Sequence, residues 1–244
     1  MTPSKADIEK AKAYLRQRLD AELRMEHYLD SVLVKAAREI VEFAYKRSIP
    51  PTLFSFNYDP FMAAEIDRVI KKLTAQIEEY DFLMATSTPK SDKKELLPYI
   101  NREIDGITYS ERLNNYTSRF KLELQDYIAA GLALGLPKQA TAREIVRTYK
   151  KPYWGTIISD REHRGASSYT RLLLLVRHTI ADAWMHADME YHIRNGAIGF
   201  ITYRGSSYPC DLCSDYAGVF HTFVEPYPPL HPSCKCYAIP VYKQ

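Results

Sequence analysis

Residues 168–203 read "SYTRLLLLVRHTIADAWMHADMEYHIRNGAIGFITY", and the hydrophobic period changes inside that stretch. From Ser168 to Asn195, apolar and charged residues interleave without a breaker, as in a long helix. Ser167 or Ser168 can cap its start. Gly196, directly after Asn195, is the residue type that ends a helix in the left-handed conformation. "AIGFITY", Ala197 to Tyr203, is then β-branched and aromatic, with Gly196 and Gly205 near its ends, and reads as a strand. Helix on one side of Gly196 and strand on the other sets the fold class.

Upstream, the pattern stays helical. From Ser4 to Lys46, Ile8, Leu15, Leu19, Leu23, Leu29, Leu33, Ile40 and Val41 fall at or near helical spacing. Ser4 or Thr2 can cap this helix, with Asp7 completing an approximate capping box. Pro50 and Pro51 stop it. A second helix starts at the Asp59 cap with Pro60 in its first turn, and presents Ile66, Val69, Ile70, Leu73, Ile77 and Tyr80. Thr86 to Ile107 is polar, holds Pro89 and Pro98, and reads as a long exposed connection. A third helix opens on the capping box Thr108-x-x-Glu111, carries Leu113, Tyr116, Phe120, Leu124, Tyr127 and Ile128, and ends at Gly135 and Pro137. A short fourth helix opens at Thr141-x-x-Glu144 and closes at Pro152. Asp160 to Arg164 is a charged run, read as a solvated loop. Downstream, "GVFHTF" and "CYAIPVY" read as further short strands among prolines 226, 228, 229 and 232. The expected fold is α+β: mainly α-helical, with a long N-terminal helix and a small C-terminal antiparallel β region.

Bulk properties exclude several classes. The chain has 244 residues, 46% hydrophobic and 26% charged, which fits a globular protein of one large or two modest domains. Nine glycines against 19 tyrosines do not fit a low-complexity chain. The formal net charge of +3 lacks the dense basic patch of a dedicated nucleic-acid binder. No apolar run approaches the roughly 20 residues needed to span a bilayer. The charged N-terminus has no signal-peptide core, so a cytoplasmic origin with reduced thiols is expected.

The four cysteines are Cys210, Cys213, Cys234 and Cys236, all in the last 35 residues. The pattern is Cys-x2-Cys, a 17-residue spacer, then His231-x2-Cys234-x-Cys236. A C-x2-C turn points two thiolates at one ion, and residues i and i+2 of an extended chain face the same way. Two such pairs can build a tetrahedral site. His231 is an alternative ligand, and His221 a weaker one. Four protein donors leave no open position, so a bound zinc would be structural, stapling a tail too small for its own core. Reduced thiols packed as small apolar groups, or two disulfides, remain alternatives. The acidic, Lys- and Arg-free spacer does not fit a nucleic-acid zinc ribbon. The P-C-x2-C half of a zinc deaminase motif is present at 209–213, but no H-x-E occurs. His186-Ala187-Asp188 is its nearest substitute. His178, His186 and His192, with Asp182 and Asp188, read as a polar helix face. No phosphate loop, nucleophile elbow or Cys–His dyad is seen, and no enzymatic activity is expected.

The order Arg177-His178-Thr179, helix end, strand, Cys210-x2-Cys213, Gly218-Val219-Phe220, then Pro228-Pro229-Leu230-His231-Pro232-Ser233-Cys234-Lys235-Cys236, resembles the C-terminal domain of the phage Mu F-like minor head proteins (phage head morphogenesis proteins). Lys235 stands where that family usually has arginine, and "YRGSS" where it often has an acidic residue. The resemblance spans 141–244 and implies a Mu F-like C-terminal domain after a divergent helical region, 1–140. It marks Gly218, Phe220, Pro229, His231, Pro232, Arg177 and Thr179 as structural motif positions. It implies a minor, capsid-associated structural protein of a tailed phage or prophage, working with the portal in head morphogenesis and in DNA packaging or delivery. Portal protein and major capsid or scaffolding protein are the implied partners. The virion head is the implied location, with the host cytoplasm during assembly. Some relatives carry a toxin or hydrolase after the cysteines, and none is expected here. The rival reading is a zinc-containing DNA-binding accessory of the packaged double-stranded genome.

Overall fold

The computed structural model describes residues 4–47, 49–149, 167–208, 210–231 and 234–243. Thr2, Pro152, Pro232 and the charged run 160–164 lie outside them.

The long first helix, α1, runs Lys5–Tyr45. Ser4 Oγ accepts the Asp7 amide at 3.2 Å and its hydroxyl donates to the Asp7 carboxylate at 2.6 Å, so Ser4 caps the helix with Asp7 bonded to its side chain. Leu15, Leu29, Leu33, Ile40 and Val41 are buried as the stripe requires, but Leu23 is exposed. Helix α2, Pro60–Ala85, begins where Asp59 Oδ1 accepts the Phe61 amide at 2.9 Å. Its predicted apolar face is buried from Ile66 to Ile77, and Tyr80 stacks on Tyr28 at 4.0 Å between ring centroids.

The expected connection 86–107 is corrected. It contains helix α3, Lys93–Ile100, with Pro98 inside it. Leu96 and Ile100, four residues apart, are both buried. Their burial offsets the hydrogen bond that Pro98 removes, a tertiary effect that outweighs local propensity. Helix α4, Tyr109–Ala133, has the expected capping box at Thr108 and Glu111. It closes in a Schellman motif, with Leu136 N–H on Gly131 O and Gly135 N–H on Leu132 O. Helix α5, Lys138–Tyr149, starts earlier than expected. The Pro137 carbonyl takes the amides of Ala140 and Thr141. Thr141 is therefore inside the helix, buried against the Tyr45 hydroxyl at 2.7 Å.

Helix α6, Ser168–Arg194, is capped by Ser167 Oγ, which accepts the Thr170 amide at 3.3 Å. After Gly196 the chain enters strand β1, Ala197–Tyr203. The sheet has the order β2-β1-β3, both pairs antiparallel, with β2 at Phe220–His221 and β3 at Tyr237–Tyr242. Pro240 is tolerated because β3 is an edge strand. "GVFHTF" shrinks to a two-residue strand because Glu225 Oε1 draws the Thr222 amide into a turn at 2.9 Å. A Cβ on Gly199 would lie 2.3 Å from His221 O and 2.5 Å from the Phe220 ring, so this pairing needs glycine. A short helix, α7 at Asp211–Tyr216, links β1 to β2. The chain is thus mainly helical, with a long N-terminal helix and a small C-terminal antiparallel sheet. No described helix is long and apolar enough to cross a membrane.

The chain forms two compact units, each discontinuous in sequence. One comprises Met1–Glu26, Asp81–Arg102 and Val176–Gln244, and the other His27–Tyr80 and Glu103–Leu175. These units cut across both expected ranges, 1–140 and 141–244. The cysteine tail belongs to the first. There Leu15 packs with Tyr237 and Ile239, flanked by Ile8, Ala11, Leu19 and Tyr203. Tyr14 tilts against Trp184 at 5.3 Å between centroids and donates to the Trp184 carbonyl at 2.7 Å.

Candidate metal centre

Cys210 and Cys213 are set by the start of α7 rather than by a free turn. Cys210 is the residue before the helix, and its carbonyl accepts the Ser214 amide at 2.9 Å and hydroxyl at 2.8 Å. Helical spacing of three then puts Cys213 on the same side as Cys210. Cys234 and Cys236 lie in the extended chain entering β3, where i and i+2 share a face. His231 precedes them, and its carbonyl accepts the Cys234 amide at 3.0 Å.

The four cysteines and His231 fall in two groups linked through Cys213. Cys210, Cys213 and His231 form one group, and Cys213, Cys234 and Cys236 another, with donor atoms within 4.8 Å of one another in each. Cys213 belongs to both. His231 Nε2 is 3.4 Å from Cys210 Sγ and 3.1 Å from Cys213 Sγ. Cys213 Sγ is 3.8 Å from Cys234 Sγ. A tetrahedron with metal–sulfur bonds of about 2.3 Å has S···S edges of about 3.8 Å, and an S···N edge of about 3.5 Å. The cluster therefore fits a metal ion in size and in donor chemistry. The cysteines are free thiols, three buried and Cys210 half-buried.

The sulfurs also share protons. The Cys236 thiol donates a hydrogen bond to Cys234, which, against the opposing effect of burial, helps lower the Cys234 pKa to about 5. The Cys236 amide also donates to that sulfur, at 3.4 Å. Cys236 in turn holds its own proton, because that proton bridges to Cys234 and because the group is buried. Burial also pushes the Cys213 thiol up to about 12. Without metal the cluster settles on one favoured thiolate and shared protons. A bound cation would displace those protons.

The other predicted residues divide. His221 is buried, with Nδ1 2.9 Å from Glu225 Oε2 and Nε2 3.1 Å from Tyr216 O. It supports β2 and stays outside the cluster. Gly218 adopts a φ of +81°, which glycine takes readily, and its amide reaches Thr202 O at 2.8 Å. Phe220 is half-exposed over Gly199. Pro229 is half-buried and follows a cis Pro228–Pro229 bond. Arg177 ties α6 to Glu26 on α1. Thr179 is half-buried on α6.

The histidines of α6 have separate duties. His186 stacks on Tyr99 at 3.7 Å between centroids. His192 Nδ1 is 2.8 Å from the Tyr242 hydroxyl. Asp188, the substitute acid of the incomplete deaminase pattern, is buried and pairs with Lys90. It also accepts the Tyr227 hydroxyl at 2.6 Å.

Two features went unread in the sequence. Lys90, placed in an exposed connection, sits 4.4 Å above the Tyr14 ring and pairs with Asp188. Arg18 is fully buried on α1 and donates from Nη2 to the Cys234 carbonyl at 3.0 Å. Its signal was present. Arg18 lies three residues after Leu15, on the stripe, and four before Glu22, the spacing of a helical ion pair.

No protein-family model, curated protein or solved structure matches the chain.

Proposed function

We propose that the five-donor cluster is a structural zinc site, and that the chain is a minor head protein of a tailed phage or prophage. In this reading it binds portal and capsid or scaffolding protein during head assembly, and acts in DNA packaging or delivery. The supporting observation is a coincidence of two independent patterns. The cysteines and His231 on which the family resemblance rests are the residues that form two donor groups sharing Cys213, each with its donor atoms within 4.8 Å of one another. Their thiolate-rich, nitrogen-completed set suits zinc and not an oxygen-seeking cation such as magnesium or calcium. Enough protein donors surround the centre to leave no open position, so its work is to hold the tail rather than to activate water. Gly218, Phe220 and the proline block then act as parts of the clasped surface.

Metal analysis of the reduced, purified chain tests the first half. About one zinc per chain is expected, lost in Cys213→Ser. A folded tail with four titratable thiols and no metal overturns the site. Co-expression with portal and capsid proteins of a tailed phage tests the second half. Co-purification is expected, and its failure with both portal and capsid proteins refutes the head-assembly reading while leaving the metal result intact.

A further inference from the structure

We infer that Arg18 is a positioning residue for the metal centre: from α1 it fixes the Cys234 carbonyl and supplies the positive charge that the thiolate cluster requires. The inference rests on the zinc reading above and extends it to a residue outside the motif.

Four observations carry it. Arg18 is completely buried although arginine is almost never fully buried unless it is paired. Its one hydrogen bond among the described residues is Nη2 to Cys234 O, across a separation of 216 residues. Nε and Nη1 are buried and make no hydrogen bond among the described residues. Nε lies 3.3 Å from Glu22 Oε1 as an ion pair without hydrogen-bond geometry. Glu22 is itself half-buried and shares its field with Arg177 and Lys235 as well as with Cys234. Arg177 has its own partner in Glu26, and Lys235 is exposed, so the ion-pair partner of Glu22 is Arg18. A buried guanidinium whose carboxylate partner makes no hydrogen bond to it is costly unless a further anion helps to balance it. With a divalent ion bound, three or four thiolates make the centre net negative. The charge of Arg18 and the negative charge of the centre then favour each other.

Position gives the second contribution. Cys234 and Cys236 precede β3 in extended chain, with no helix to set their spacing. Leu15, one turn before Arg18, packs on Tyr237 and Ile239 just beyond them. A Cβ on Gly205 would meet Lys235 O at 1.9 Å and Leu15 Cδ2 at 3.0 Å, so Gly205 and α1 close in on this stretch. Arg18 adds a directional bond at the residue between His231 and Cys236 that bears a ligand sulfur. Partners of this kind behind the ligands typically alter metal affinity by about 10- to 100-fold.

The test titrates the reduced, metal-free full chain with Co2+ alone, reading thiolate-to-cobalt absorbance, and then competes with Zn2+. Arg18→Met keeps the bulk and removes charge and donors. Its affinity is expected to fall by about 10- to 100-fold with unchanged far-ultraviolet dichroism. Arg18→Lys restores a charge and a donor and is expected to recover most of that loss. Arg18→Gln keeps an N–H donor without charge, and is expected to bind at least several-fold more weakly than the native chain. It decides the question if Arg18→Met does not fold. Native affinity in Arg18→Gln, or equal loss in Arg18→Lys and Arg18→Met, would overturn the inference while native cobalt binding upholds the site. A native chain that takes up no cobalt would overturn the site and the inference together.

Discussion

Ile66, Leu73 and Ile77 of α2 and Leu113, Phe120, Leu124 and Ile128 of α4 are all buried within the unit His27–Tyr80 and Glu103–Leu175. The tail from Ala197 to Lys243 buries fewer large groups, chiefly Phe200, Ile201, Tyr237, Ile239 and Val241. Its strand β2 has only two residues. What it has instead are point fixings: the cysteine cluster, the Arg18 bond to Cys234, and the Tyr227 bond to Asp188. One region is stabilised by distributed apolar area, which no single change abolishes. The other depends on a few specific contacts, each of which can be removed by chemistry that leaves the helices untouched.

Metal removal is the strongest way to break that contrast. Structural zinc contributes apparent binding energies of about 10–16 kcal/mol in small domains. Chelation under reducing conditions, or Cys213→Ser, is expected to abolish hydrogen-exchange protection across 197–243. Protection in α4 is expected to persist. Simultaneous loss in both regions would mean that they form one cooperative unit, and the contrast drawn here would fail.

A core truncation should reverse the pattern. Phe120 is essentially inaccessible on α4. Phe120→Ala is expected to destabilise the helical unit by about 3–5 kcal/mol, the usual cost of a buried aromatic. Denaturant unfolding followed through helical dichroism measures this. Metal content of the native-state protein should stay unchanged. A metal-loss midpoint that falls together with the helical transition, relative to the native chain, would show that the tail feels the helical core.

How much was legible follows from the distance over which each feature is determined. Caps were readable because their partners are three residues away or fewer: Ser4 with Asp7, Asp59 with Phe61, Thr108 with Glu111. Buried stripes repeat and so announce themselves, and Cys-x2-Cys with His-x2-Cys-x-Cys carried its own spacing. Most of the failures are non-local, and the contraction of β2 is a local one. Helix α3 has two buried anchors on eight residues and an internal proline, too little period to outweigh the breaker. The contraction of β2 depends on one carboxylate, Glu225, turning back on Thr222. Lys90 reads as a solvated lysine until Asp188, 98 residues on, faces it. Arg18 looks like a misplaced charge in an apolar stripe until the tail folds over it. His231 and, more weakly, His221 were left between ligand and bystander; the geometry puts Nε2 of His231 beside the sulfurs of Cys210 and Cys213 and gives His221 to Glu225 and the Tyr216 carbonyl.

The smallest effect expected concerns the other fixing of the tail. Asp188 is buried, which by itself would raise its pKa. Hydrogen bonds from His192, Lys90 and Tyr227, with the Lys90 charge, outweigh burial and leave the carboxyl below its ordinary value. The folded-state pKa is thus depressed. The stability it contributes is fully present above the unfolded value, about 3.9, and is lost as pH falls through the folded value. Tyr227→Phe removes one donor to a charged acceptor, typically about 1.5–3 kcal/mol. It also moves the folded pKa of Asp188 upward, so less acid is needed to protonate it. The variant should therefore be weaker than the native chain at neutral pH, lose the remaining contribution at a higher pH, and converge with the native chain in strong acid. Tyr227 lies between Cys213 and His231, so the loop it holds belongs to the tail. Hydrogen exchange in 222–230 across pH 3 to 7 reads the change directly. Parallel curves for the two proteins at every pH would mean that the hydroxyl does not act through the Asp188 carboxylate.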